Sequence, residues 1–160
     1  MSVRNYFIAL LLCGIFFIFP FQVYIIGSET GIGIQGAVFR YQITSYGNSL
    51  IPITSDMMYI IRGIYSSKTA LSVLVWILGT LLLTATTIFG LIFAAKERSD
   101  FNRQISLGLV SVCLCYLISC IVQYGFIFSG PAGTSLPVGI VILIGWIAIM
   151  NLLNLNFFKT

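Results

Sequence analysis

The chain has 160 residues, of which 59% are hydrophobic, 8% are charged and none is histidine. Soluble domains carry about 25% charged residues, so this composition excludes an ordinary soluble domain and predicts a single integral membrane domain. The net charge of +4 comes from basic residues that are scattered singly. That pattern does not match a nucleic-acid-binding surface, and we predict no nucleic-acid partner.

Four apolar stretches predict four transmembrane helices, at about residues 6–26, 69–95, 104–128 and 138–158. Each stretch is long enough to cross about 30 Å of hydrocarbon. The last two lie in a run without any charged residue, 104–158, which is interrupted only by a Gly/Pro-rich stretch at 129–137. The first stretch is longer than the apolar part of a signal peptide and is interpreted as a retained span. The predicted fold class is therefore an all-α integral membrane protein, a four-transmembrane-helix bundle.

A polar segment of 41 residues, 27–67, separates the first two predicted spans and is expected to be extracytoplasmic. Residues 27–36 are rich in glycine and predict a turn-rich exit from the membrane. Residues 38–44 alternate apolar and polar side chains, the period of a half-buried strand, and residues 50–53 predict a short return strand. Thr54 or Ser55 is placed to cap a short surface helix that ends near Gly63.

The distribution of basic residues predicts which compartment holds the chain ends. Five cations near span ends fall on one side: Arg4, Lys96, Arg98, Arg103 and Lys159. Arg40, Arg62 and Lys68 fall on the other side. Because basic residues accumulate on the cytoplasmic side, we predict a multi-pass protein of the plasma or cell membrane with both termini in the cytoplasm.

This layout, with an outer segment of strands and a short helix between the first two spans, is similar in arrangement to claudin-type tetraspan proteins. The Trp-Gly-Leu-Trp motif and the paired cysteines of that family are absent from residues 27–67. The resemblance therefore implies only that an outer sheet on a helix bundle is feasible, and the sequence is assigned to no family.

Small and weakly polar side chains recur at helical spacing in the last three predicted spans. In a bilayer such residues allow close helix packing, and we predict that they form helix-packing or partner-binding faces. They are Thr80, Thr84, Thr86, Gly90, Ala94, Gly108, Ser111, Cys115, Ser119, Asn151 and Asn154. An alternative is that the threonines and serines, with Gln123, line a narrow polar path.

No set of residues with catalytic, cofactor-binding or metal-binding spacing is found. The four acidic residues, Glu29, Asp56, Glu97 and Asp100, are separated and unaccompanied by histidine, and they are interpreted as solvated loop charges. All four cysteines, Cys13, Cys113, Cys115 and Cys120, fall inside predicted spans and are interpreted as buried small side chains. The sequence therefore predicts a protein that is not an enzyme and needs no cofactor or metal.

Three functions remain open on the sequence. We favour a structural or accessory subunit of a larger membrane complex, because the outer segment has more apolar surface than 41 residues can bury alone. The predicted partner surface there comprises Phe39, Tyr41, Met57, Met58 and Ile61, and the partners are the lipid bilayer and other membrane subunits or a second copy. The alternatives are a small oligomeric pore or carrier for a neutral solute and a membrane enzyme that depends on a bound cofactor or lipid.

Overall fold

A six-stranded antiparallel sheet packs against one end of long apolar helices in the computed structural model of this protein, which describes residues 16–27, 31–65, 67–96 and 101–157. The strands are β1 (Gln22–Ile26), β2 (Gly31–Gln35), β3 (Phe39–Thr44), β4 (Gly47–Pro52), β5 (Ser129–Gly130) and β6 (Gly133–Leu136). Their order across the sheet is β4-β3-β2-β1-β6-β5. The late hairpin β5–β6 therefore extends a sheet begun by the early strands.

The described chain begins with a helical turn at residues 16–18, which leads into β1. The other helices are α1 (Ile53–Ile61), α2 (Ser67–Ala95), α3 (Phe101–Tyr124) and α4 (Val138–Phe157). Among the described residues two helices are long and apolar enough to cross a membrane, over Ser67–Phe93 and Arg103–Tyr124. The apolar part of α4, Val138–Ile149, is shorter. The two long helices indicate association with a membrane.

The predicted fold class, an all-α bundle of four transmembrane helices, is wrong. Residues 22–26, which were assigned to the first span, form β1, and the predicted Gly/Pro break at 129–137 contains β5 and β6. The glycine-rich stretch predicted as a turn contains β2, an interior strand of the sheet. The error has a physical cause, since a short apolar run is equally compatible with a helix end and with a strand.

Elsewhere in the outer segment the sequence pattern located elements well. Strand β3 lies within the alternating residues 38–44, and α1 ends at Ile61, two residues before Gly63, which has a φ of 67°. The capping prediction is wrong, because the residue before α1 is Pro52 and no side chain caps the helix. Helix α1 is instead fixed by its contacts with the sheet.

The turn between β2 and β3 attaches the sheet to the helices. The indole Nε1 of Trp76 donates to the carbonyl oxygen of Gly36 at 3.0 Å, and Thr80 Oγ1 donates to that of Ala37 at 2.6 Å. Ala37 is completely buried. Because the backbone carbonyls of a buried turn need partners, these two bonds satisfy the turn and fix its position on α2.

Strand β1 runs alongside the last turns of α3. Cys120 contacts Gln22 near the start of the strand, and the ring of Tyr124 lies 6.5 Å from that of Tyr24. Two residues of a strand span about 6.6 Å and four residues of a helix about 6 Å, so the contacts advance together along both elements. The side-chain contacts therefore advance in the same direction along β1 and the last turns of α3.

Helices α2 and α3 form the closest helix pair of the core. Adding a Cβ to Gly108 on α3 would bring it against the side chain of Thr86 on α2. The core between the helices and below the sheet contains large apolar side chains with little or no exposure, among them Trp76, Leu83, Ile105, Leu109, Val112, Tyr116 and Leu143. The ring of Phe21 stacks on Tyr116 at 4.0 Å and joins the start of β1 to this core.

Candidate interaction surface

The sheet buries its polar face and exposes its apolar face. Successive strand residues point to opposite sides, and the side turned toward the helices carries Gln22, Tyr24, Gln35, Arg40 and Ser135. All of these are buried except the partly buried Arg40. An antiparallel sheet normally places its apolar side on the core and its polar side in water, so this sheet is inverted.

The buried polar side is satisfied by a hydrogen-bond cluster between β1, β2, β6 and α3. The side-chain amide of Gln22 donates to Gln35 Oε1. The Oε1 of Gln22 accepts from Cys120 Sγ at 2.6 Å and from Ser135 Oγ at 3.2 Å. Because buried polar groups cost free energy unless they are bonded, this cluster lets the polar face pack on α3.

A buried ion pair attaches α1 to the same face. Asp56 on α1 has no solvent exposure, and its carboxylate accepts from Arg40 Nε at 3.0 Å, from Arg40 Nη2 and from the hydroxyl of Tyr65. The same Tyr65 hydroxyl accepts from Arg40 Nη2. Asp56 was predicted to be a solvated loop charge, and that interpretation is wrong, because the residue is buried and paired with Arg40. The sequence did not indicate this pair, since Arg40 on β3 is distant from Asp56 along the chain.

Electrostatics at this cluster follow from burial and from the pairing. Burial alone would lower the pKa of Arg40, but the Asp56 carboxylate, together with Tyr65 and Tyr24, outweighs burial and raises that pKa above its ordinary value. Burial, followed by the hydrogen bond to Asp56, raises the pKa of Tyr65 to about 12. Both groups therefore keep one charge state at neutral pH, as expected of a structural ion pair rather than an acid–base catalyst.

Tyr24 fills the centre of the buried face. Its ring lies over Gly33 on the neighbouring strand, where a Cβ would overlap the ring. Its hydroxyl is buried and has no hydrogen-bond partner among the described residues. Burial is the main cause that raises the pKa of this phenol. Glycine at position 33 is therefore required by packing of the inner face.

The outward face of the sheet, called here the apolar face, consists of two rows of aligned side chains. The first row, in strand order from β6 to β4, is Thr134, Ile25, Ile32, Ile43 and Asn48. The second is Leu136, Val23, Ile34, Tyr41 and Leu50. Exposed fractions are 42% for Ile25, 50% for Ile32, 46% for Ile43, 65% for Leu50 and 67% for Leu136. Neither row contains a charged side chain.

Hydrocarbon is not a suitable cover for the apolar face. Strands β4 and β5 form the two edges of the sheet, and an edge strand leaves backbone N–H and C=O groups unpaired. Open edges of this kind do not occur in the lipid-exposed hydrocarbon region. The two open edges therefore argue against hydrocarbon as the cover of this face, and contiguous exposed apolar side chains of this kind are a candidate contact for another protein.

The predicted partner surface is divided between two sides of the molecule. Phe39 and Tyr41 are partly buried and point to the apolar face, whereas Met57, Met58 and Ile61 are exposed on α1, which covers the opposite face. The sequence interpretation missed Ile25 and Leu136, because both residues lay in stretches assigned to a span and to a loop. The sequence signal that could have identified them is the alternation of apolar residues with Gln22, Tyr24 and Ser135 along the two strands.

The predicted packing residues in the described helices lie mostly between α2 and α3. Thr80 contacts the β2–β3 turn and the hydroxyl of Tyr116, and Ser119 Oγ donates to the carbonyl of Ser72 at 2.8 Å. Thr84 bonds only to its own helix. Thr86, Gly90, Gly108 and Ser111 line an open groove of about 360 Å³, and Cys115 packs near Gly79. The side chains of Ala94, Asn151 and Asn154 lie outside the described residues.

In the described part of the chain, no three side chains of His, Cys, Asp or Glu come together as metal ligands would. The chain matches no protein-family model, and no curated protein or solved structure is significantly similar to it.

Proposed function

We propose that the protein is a non-catalytic membrane subunit that binds another protein through the apolar face of its sheet. The inverted polarity of the sheet is the observation that supports this proposal. Five apolar side chains on that face are at least 42% exposed, and no charged residue keeps the surface soluble. The polar side chains of these strands face the other side of the sheet, where Arg40 bonds to Asp56 and Gln22 accepts from Cys120.

In the membrane, α2 and α3 form a hairpin whose connection at residues 96–100 faces the cytoplasm, and the sheet packs on the part of the hairpin toward the opposite side. Lys96, Arg98 and Arg103 at this connection then obey the positive-inside rule. We keep the prediction that both termini are also cytoplasmic. Labelling of Tyr46→Cys, at the exposed β3–β4 turn, with an impermeant maleimide on intact cells tests the side of the sheet. A reporter fused to Thr160 that is active only outside the cell would contradict the topology.

The proposal is tested by the mass of the complex extracted from its native membrane in a mild detergent. We expect the native chain to elute in a particle larger than its own 17.7 kDa plus detergent, and Leu50→Asp to release it. Ile61→Asp provides a matched control, since Ile61 is 76% exposed on α1 but does not lie on the apolar face. Its complex should stay intact.

Two results would contradict the proposal. The first is a native chain that is monomeric when it is extracted, because such a chain has no bound partner. Equal loss of the complex with Leu50→Asp and Ile61→Asp would place the contact elsewhere or show a general effect of added charge.

A further inference from the structure

We propose that the partner on the apolar face is a second copy of this chain, related to the first by a two-fold axis that runs along β2. The inference rests on the proposed function, because it names the occupant of the same surface. Homodimers with two-fold symmetry are the commonest protein oligomers, and their interface must be self-complementary. The two rows of the apolar face meet that requirement.

Strand β2 is the middle one of the five strands that form the apolar face, β4-β3-β2-β1-β6. Rotation about an axis along β2 preserves the level of each row and exchanges β3 with β1 and β4 with β6. In the first row Ile32 then meets its own copy, and Ile43 meets Ile25. The polar ends also match, because Asn48 meets Thr134.

The second row obeys the same symmetry. Ile34 meets its own copy and Tyr41 meets Val23, which places an aromatic ring against a smaller β-branched side chain. Leu50 meets Leu136. These two leucines are the most exposed apolar side chains of the face, at 65% and 67%, so the rotation covers the apolar surface that most needs a partner.

The membrane permits this axis. Because β1 runs along the last turns of α3, the strands lie near the direction of the membrane-crossing helices. An axis along β2 is then close to the membrane normal, and two copies inserted in the same orientation can place their sheets face to face. Aligned sheet packing, which keeps the strand directions within about 30° of each other and the backbones about 10 Å apart, includes such an arrangement.

The size of the face also fits a dimer within a membrane better than a dimer of free molecules. Five strands about 4.8 Å apart give a width of roughly 24 Å, and two rows of side chains cover only part of the roughly 800 Å² per partner of a standard soluble interface. Anchoring both copies in one bilayer raises their effective concentration, which compensates for a small contact. No like charges oppose each other in either row.

Cross-linking of single cysteines in native membranes tests the axis. Facing side chains extend from backbones about 10 Å apart, too far for a disulfide, so the probe is a short bis-maleimide. We expect Ile32→Cys, on the axis, to give a band at twice the monomer mass after long incubation, because a thiol covered by the second copy reacts slowly. Tyr46→Cys, exposed but off the face, and the chain without an added cysteine should give none.

A pair of variants then distinguishes this symmetry from any other. In the proposed dimer the two copies of Leu50 are four strands apart, roughly 19 Å sideways, so Leu50→Cys alone and Leu136→Cys alone should lose the doubled band. Coexpression of Leu50→Cys with Leu136→Cys should restore it. A doubled band from either single variant as strong as that from the mixture would overturn the axis.

The remaining outcomes separate this inference from the proposed function. If Ile32→Cys is cross-linked to a chain of another mass, the partner is a different protein, so the second copy is excluded while the proposed function holds. If Ile32→Cys reacts fully with a monofunctional maleimide in native membranes and forms no adduct with any chain, both the inference and the proposed function fail.

Discussion

Removing one partner of the buried ion pair should separate the sheet from α1. Arg40→Met leaves the Asp56 carboxylate with no solvent exposure and with the Tyr65 hydroxyl as its remaining partner. An uncompensated buried charge costs about 3–5 kcal/mol. We therefore expect Arg40→Met to lower the free energy of unfolding by that amount, the largest effect of any single change in this cluster.

The geometry also ranks the other substitutions. Tyr65→Phe removes the hydroxyl that donates to Asp56 and accepts from Arg40. Because Arg40 and Asp56 still pair with each other, the expected cost is about 1.5–3 kcal/mol. Asp56→Asn leaves the guanidinium of Arg40 unpaired, but 17% of that side chain is exposed, so its cost falls below that of Arg40→Met. Replacing both charges, as Arg40→Met with Asp56→Leu, should cost less than Arg40→Met alone, because no buried charge is left unpaired.

Thermal unfolding in a mild detergent, followed by tryptophan fluorescence, measures these effects. Trp76 is a suitable reporter, since its indole bonds to the turn at Gly36. For a chain of this size 1 kcal/mol shifts the Tm by about 2–4 °C, so Arg40→Met should lower it by at least about 6 °C. The exposed Arg62 on the same side of the sheet supplies the control Arg62→Met. Equal shifts for Arg40→Met and Arg62→Met would refute the account of a buried carboxylate.

Three further predictions concern pH, an attachment bond and helix packing. The pKa of Tyr65 is raised to about 12 from its ordinary 10, so its contribution to stability is complete below pH 10 and is lost as the pH rises toward 12. When the Tm is measured between pH 10 and pH 12, the fall in Tm should be smaller for Tyr65→Phe than for the native chain. Thr80→Val removes the donor to the β2–β3 turn and should cost about 1–3 kcal/mol. Thr84→Val loses a bond within its own helix and should change stability by less than about 0.5 kcal/mol. Equal Tm shifts for the two variants would contradict the attachment of the β2–β3 turn to α2 through Thr80. Gly108→Leu should destabilise by about 1–3 kcal/mol by forcing α2 from α3, while Gly145→Leu, with open space around it, should not; a native Tm for Gly108→Leu would show that the helices do not pack there.

Hydropathy was sufficient to predict the long helices and insufficient to predict the sheet. Helices α2 and α3 lie where charge-free runs of more than twenty residues require them. Strand β1 was hidden because Val23, Ile25 and Ile26 continue the apolar run of the first predicted span. Its pairing with β6 joins Val23 to Leu136, and no local pattern reports a partner so far along the chain.

The interaction surface was hard to predict for a further reason. Sequence interpretation assumes that the polar residues of an alternating strand face water, and here Gln22, Gln35 and Arg40 face the interior. Their burial depends on partners that only the fold provides, such as Cys120 and Asp56. No local sequence pattern therefore reports that the sheet is inverted.

Whether a protein covers the apolar face is measured most directly by the accessibility of cysteines placed on it. In native membranes we expect Leu50→Cys and Ile32→Cys to react with an impermeant maleimide far more slowly than Tyr46→Cys, which lies on the same sheet at the exposed β3–β4 turn. Dissociation in a stronger detergent should bring their rates to that of Tyr46→Cys. If all three react equally fast in the native membrane, the apolar face is uncovered and the proposed function is wrong.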